Sequence, residues 1–140
     1  MAPVGMPLDF SHADERAAWD ALFFSGELAH PMVSQGECGP KLASALACVR
    51  LAPSAKNLQP WRLVCSGSAI DLFECRTLPL RPIGDVQLVD MGIAMLHLEV
   101  GLANQGLCGA WSFDDPHADR SDVTPAASEG CVSYVSIISF

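Results

Sequence analysis

The hydropathy pattern predicts an α+β chain, with a small, mostly antiparallel sheet packed by helices around a long central helix. Three observations carry this. Apolar residues recur every three or four positions from about 86 to 106, enough for a helix of ~30 Å. Two β-rich runs, about 61–66 and 69–75, flank Gly67 between two serines, the composition of a hairpin turn. A third alternating run, Cys131 to Phe140, supplies a strand at the C-terminal side.

The 140 residues suit one domain with one hydrophobic core. Half of them are apolar and only 17% are charged, which excludes a disordered chain and implies more apolar surface than a small monomer easily buries. Net charge is −8 with eight Lys and Arg. A surface that tracks nucleic-acid phosphates is therefore not expected, nor is binding to an anionic membrane. Six cysteines (Cys38, Cys48, Cys65, Cys75, Cys108 and Cys131) sit mostly inside apolar runs and lack the spacing of a zinc knuckle or redox motif. They read as reduced and mostly structural. Met1 to Phe10 has no basic stretch followed by an apolar one, and no segment reaches transmembrane length without polar interruption, so a cytoplasmic protein is expected.

The division expected is an N-terminal helix and linker over 1–38 and a folded unit over 39–140. Met1 to Leu8 holds two prolines and a glycine and is expected to lack order unless docked. Ser11 and Asp14 have capping-box spacing, which predicts a helix to about Phe24 with Ala18, Trp19, Leu22 and Phe23 facing inward. His30 to Gly39 is the linker. Pro40 then suits the first position of a helix over 40–51, with Leu42, Ala45, Leu46 and Val49 on one face.

Between that helix and the first strand of the hairpin lies Ala52 to Arg62, bracketed by Pro53 and Pro60, which a helix cannot cross. Arg76 to Asp85, with Pro79, Pro82 and Gly84, predicts another loop; its arginines suit solvent or an anionic ligand. Asp85 then caps the long helix. One stripe of that helix is Val89, Ile93, Leu96, Val100, Ala103 and Leu107; beside it run Leu88, Met91, Met95, Leu98 and Leu102. The third side holds Asp90, Ala94, His97, Gly101 and Asn104. So much apolar circumference predicts a helix buried in a core and completed by a partner, most simply a second copy. Ala110 to Phe113 follows as a strand, and Asp114 to Gly130 as an acidic, turn-rich segment.

Gly-x-Gly-x-x-Gly, P-loop and Gly-x-Ser-x-Gly motifs are absent. Asp90 and His97 stand two helical turns apart, about 10 Å, too far to share a metal ion directly. No metal ligand and no catalytic acid, base or nucleophile is nominated.

The motif that remains is Pro53-Ser54-x-x-Asn57-x-Gln59-Pro60-Trp61. It resembles the hallmark loop of the FMN-dependent nitroreductase family. Leu46 to Leu51 before it, Arg62 after it, Asp90 to Met95, and Gly106 to Trp111 are also similar to that family. Trp19 to Phe24 resembles a segment of the branch whose single chain carries two nitroreductase-like halves; this chain is similar to the second half alone.

The resemblance implies a nitroreductase-like fold and an FMN site at a dimer interface, where electrons pass from NAD(P)H through the flavin to a small acceptor. Pro53, Ser54 and Asn57 would approach the ring, Ala55 stands where many relatives carry a second serine, and Gln59 would help fix the loop. Gly109 and Ala110 would offer backbone amides on the cofactor side. The Arg-x-Ser-x-Arg-like phosphate anchor of full-length relatives has no counterpart, Arg16 standing alone in an acidic stretch. Arg50, Lys56, Arg62, Arg76 and Arg81 are the remaining cations that could replace it. The partner implied is a second copy or a chain supplying the missing half. The alternative is a half-length, flavin-free relative acting as a dimerisation or partner-binding module.

Overall fold

A computed structural model describes residues 15–79, 82, 84–114 and 132–140. Trp19–Leu22 form a single helical turn (α1), followed by strand β1, Phe23–Ser25. Helix α2 spans Pro40–Leu51, the hairpin strands β2 and β3 span Trp61–Ser66 and Ala69–Cys75, and helix α3 spans Val86–Asn104. Strands β4, Ala110–Ser112, and β5, Val132–Ser139, complete a five-stranded sheet of order β1-β2-β3-β5-β4. Among the described strands, only the β1–β2 pairing is parallel. The α+β architecture is thus the one expected.

The hairpin forms where its turn chemistry places it. Ser66 pairs with Ala69, and Gly67, at φ 57°, occupies the first central position of the two-residue turn. Trp61, Leu63 and Cys65 stand opposite Glu74, Leu72 and Ile70, so one face of the hairpin is almost wholly apolar. Ile138 extends this face on β5, opposite Ile70. Between Leu72 and Phe73 the register with β5 shifts by one residue, at Val135. Burial pushes the thiol of Cys65 up to about 12, as befits a small core residue rather than a nucleophile. Cys38, Cys48, Cys65 and Cys108 are free thiols.

The helices cover that face. From α2 come Ala45, Leu46 and Val49, and from α3 Met91, Ala94, Leu98 and Leu102, all in the same core cluster. Asp85 caps α3 by accepting the Leu88 amide hydrogen at 3.1 Å, as its position predicts. The helix faces are nevertheless arranged differently from the apolar count. The small and polar side of α3 turns inward: Asp90, Ala94 and Gly101 are buried, while Val89, Leu96 and Val100 are 62%, 58% and 49% exposed. The reason is proximity. A methyl group at Gly101 would lie 2.9 Å from the Ala45 Cα, so α2 approaches too closely for any larger residue to face it.

One further expectation is corrected. The helix predicted to run to Phe24 is one turn, and Phe23–Ser25 instead pair in parallel with Leu63–Cys65. Phe23 is buried in the sheet, and the Met32 amide donates to its carbonyl at 2.9 Å, so tertiary pairing overrides the helical spacing. The Ser11–Asp14 cap, Cys131 and the acidic segment from 115 to 130 lie outside the described residues. By length and mean hydropathy (1.4), α3 does meet the criterion for crossing a membrane. Its inner face, however, packs on α2 in the core and carries buried Gln87 and Asp90, the position of a core helix.

Candidate functional site

Pro53 to Pro60 forms a stiff loop between α2 and β2. Ser54 is extended, Ala55–Asn57 make a 3-10 turn, and Lys56, Asn57 and Gln59 have φ of 52°, 55° and 49°. Three non-glycine residues in the left-handed region are unusual in so short a span. The hydrogen bonds that hold them explain how the strain persists. Ser54 accepts the Gln59 amide on Oγ and the Asn57 amide on its carbonyl, both at 2.9 Å.

Gln59 is 5% exposed, and its carboxamide bridges inward. Its Oε1 accepts the Ala17 amide at 2.9 Å, and its Nε2 donates to Asn57. Asn57 Nδ2 in turn donates to the Glu15 carbonyl at 2.7 Å. The side chains nominated for a ligand edge therefore also build the loop. Pro53 is exposed, and Ser54, Ala55 and Asn57 are half-buried.

Two residues without a place in the motif hold this region from α3. Asp90, 3% exposed, accepts the Ala55 amide on both carboxylate oxygens at 3.1 and 3.2 Å. Gln87 accepts the amides of Thr77 and Leu78 on Oε1, each at 2.9 Å, and donates to Thr77 Oγ1 at 2.8 Å. The signal for both was in the sequence: polar side chains on the first turns of an otherwise apolar helix need partners when buried.

Between these anchored segments opens a cavity of about 460 Å³. Ala55 and Lys56 form one side, Leu78 and Pro79 another, and Asp85, Val86 and Val89 the third. Arg76 pairs with the Asp85 carboxylate of this lining. It makes a bidentate contact to Asp85 and reaches Glu74 at 3.1 Å, and this hydrogen bonding holds the Asp85 carboxyl below the usual carboxylate range.

Burial raises the pKa of Asp90 above the ordinary value, with the Ala55 hydrogen bond opposing the shift. The folded state therefore holds this proton more tightly than the unfolded chain does. Its contribution to stability is complete below the unfolded carboxylate pKa and is lost as pH rises through the higher folded value. Asp90→Asn removes that dependence. Urea unfolding of variant and parent should show the variant gaining stability relative to the parent as pH rises above about 4, the unfolded carboxylate value. Glu74, also raised by burial, is present in both and cancels. The opposite trend would mean that the Ala55 bond outweighs desolvation.

Gly109 and Ala110 are placed elsewhere. They follow the other end of α3, where a side chain at Gly109 would strike Ile138, with its first carbon 2.4 Å from Cγ1. Ala110 is exposed on the edge strand β4. From Asp90 to Asn104 the helix advances ~21 Å, so these residues and the 53–59 loop flank opposite ends of α3.

The cations proposed for an anionic ligand are mostly engaged within the chain. Arg16 donates to the Leu51 carbonyl, Arg50 to that of Ala17, and Arg62 to those of Gln59 and Trp61. Arg76 is paired as above, and Arg81 lies outside the described residues. Among the described residues, Lys56 is exposed and no carboxylate pairs with it.

The family model described as "Putative TM nitroreductase" matches residues 29–102, and the chain belongs to this family. Among solved structures it is similar to that of "a putative nitroreductase" from Thermotoga maritima, with a TM-score of 0.55 and 15% identity. That match covers 89% of this chain and 41% of the other, so the present chain spans less than half of that protein's length. No curated protein matches the sequence.

Proposed function

We propose that the chain is an FMN-dependent oxidoreductase of nitroreductase type, which passes electrons from NAD(P)H to a small acceptor at a site shared between two copies. In this reading residues 39–140 are the nitroreductase-like half-domain, 1–38 are its helix and linker, and the chain corresponds to the second half of the fused pseudo-dimer branch. The observation that carries it is the 53–60 loop, locked in left-handed geometry against an apolar cavity in a member of this family. Leu78, Pro79, Val86 and Val89 suit the flat apolar body of a flavin ring, and the Asp90-held turn fixes the wall beside it.

Bound flavin supplies the hydride-accepting and electron-passing chemistry. The chain's task is to position nicotinamide or acceptor and exclude water, which requires no acid, base or nucleophile. A two-copy site is supported by the separation of Gly109 and Ala110 from the loop, and by the exposed apolar row Val86, Val89, Leu96 and Val100 on α3.

Protein refolded with excess FMN and desalted should be yellow, with a flavin absorption band that bleaches when NAD(P)H is added without oxygen. Colourless protein overturns the reading. The flavin-free module is the second reading, favoured by the internal engagement of Arg16, Arg50, Arg62 and Arg76. Sedimentation of a folded dimer without flavin would support it, whereas co-purification with a chain supplying the missing half would indicate a split enzyme.

A further inference from the structure

We propose that Lys56 is the counter-charge for a single anionic group on an otherwise apolar small molecule held in the cavity beside the 55–57 turn. The inference rests on the preceding reading in taking this cavity as the ligand site, and adds the chemical class of ligand that the site selects. About 460 Å³ falls within the roughly 300–1,000 Å³ usual for small-molecule sites. Its walls at Leu78, Pro79, Val86 and Val89 are apolar and contribute no side-chain charge.

The charges around it are unequal in availability. Asp85 is bound to Arg76 and also accepts the Leu88 amide. Arg76 is shared between Asp85 and Glu74. Asp90 faces the cavity wall only through the Ala55 amide that it accepts. Lys56 alone lines the cavity without an ionic partner among the described residues. In a chain of net charge −8 it forms an isolated positive point beside an apolar surface.

The backbone supports the same assignment. Lys56 has φ 52° and ψ 20°, a left-handed conformation that glycine or asparagine adopts at lower cost. The turn is held by Asp90 and Ser54, not by the lysine, so nothing among the described residues calls for a long cationic side chain there. Strain of this kind concentrates at ligand sites.

The ligand's anion could be a cofactor phosphate or a carboxylate of the acceptor, and two matched pairs of probes separate these sources. On flavin-free full chain, calorimetry compares 4-nitrobenzoate with nitrobenzene and FMN with riboflavin. Each pair differs chiefly by one anionic group. The anionic member of at least one pair should bind about fivefold tighter at low salt, a preference that fades as salt rises. Lys56→Asn, chosen because asparagine tolerates the left-handed backbone, should erase the preference, and Lys56→Arg should retain it. Should Lys56→Asn fail to fold, as judged by circular dichroism, Lys56→Gly serves the same purpose.

A preference confined to FMN over riboflavin assigns Lys56 to the cofactor's phosphate; one confined to 4-nitrobenzoate assigns it to the acceptor. Equal binding within both pairs, or a preference unchanged in the asparagine variant, overturns the proposal. If neither flavin binds but 4-nitrobenzoate is still preferred through Lys56, the flavin reading fails and the present inference stands.

Discussion

Gly101→Val should destabilise the chain by about 3 kcal/mol or more, read as a shift in the urea midpoint at constant slope. The first carbon of the new side chain would meet the Ala45 Cα at 2.9 Å and its carbonyl oxygen at 3.0 Å, both backbone atoms of α2 that cannot rotate away. Removing a helix-interior glycine recovers less than about 1 kcal/mol, and a β-branched valine recovers only part of it. Separation of the two helices would also shift the α3 residues that hold the 53–60 loop. A variant as stable as the parent would show that α2 and α3 do not pack at this distance.

Trp61→Ala should cost about 3–5 kcal/mol, because the indole is fully buried and its neighbours cannot collapse into so large a cavity. Trp61 joins the loop to the sheet: it follows Pro60, opens β2 and stands opposite Glu74. The loss should therefore appear twice, in global unfolding and in faster amide exchange over residues 53–60. Trp61→Phe keeps most of the apolar volume and should cost about half as much or less. An alanine variant that unfolds at the parent's denaturant concentration would place Trp61 outside the core.

The extent of sequence legibility follows from what each element depends on. α2, the β2–β3 hairpin and α3 are fixed by local signals: Pro40 at a helix start, Gly67 in a two-residue turn, Asp85 at a cap. Each of these acts within a few residues, and each element appears where the pattern puts it. α1 and β1 do not, because Phe23–Ser25 are held by pairing with Leu63–Cys65, about forty positions away. The inner face of α3 also escaped the count of apolar residues. Hydropathy cannot register that close helix contact favours Gly101 over valine, or that Asp90 is satisfied by the Ala55 amide.

Within the candidate site, the motif located the loop but not its internal economy. Ser54, Asn57 and Gln59 have the side chains of a ligand edge, yet their recorded hydrogen bonds build the loop itself, and the positive φ angles could not be read from residue types such as lysine and glutamine. Gln87 and Asp90 were visible only as polar residues on an apolar helix. Their function as anchors depends on which loops pass over the first turns of α3.

The sheet order has a consequence for how this chain is made. β5, the last of the described strands in sequence, lies between β3 and β4. During synthesis, β3 therefore emerges with its whole second edge unpaired, and that edge stays open until residues 132–139 leave the ribosome. β3 is apolar and rich in residues suited to pairing, so a paused or slowly folding nascent chain presents an aggregation-prone strand edge over that interval. Pairing of β5 closes that edge, so the interval before it emerges is when β3 is most open to other chains.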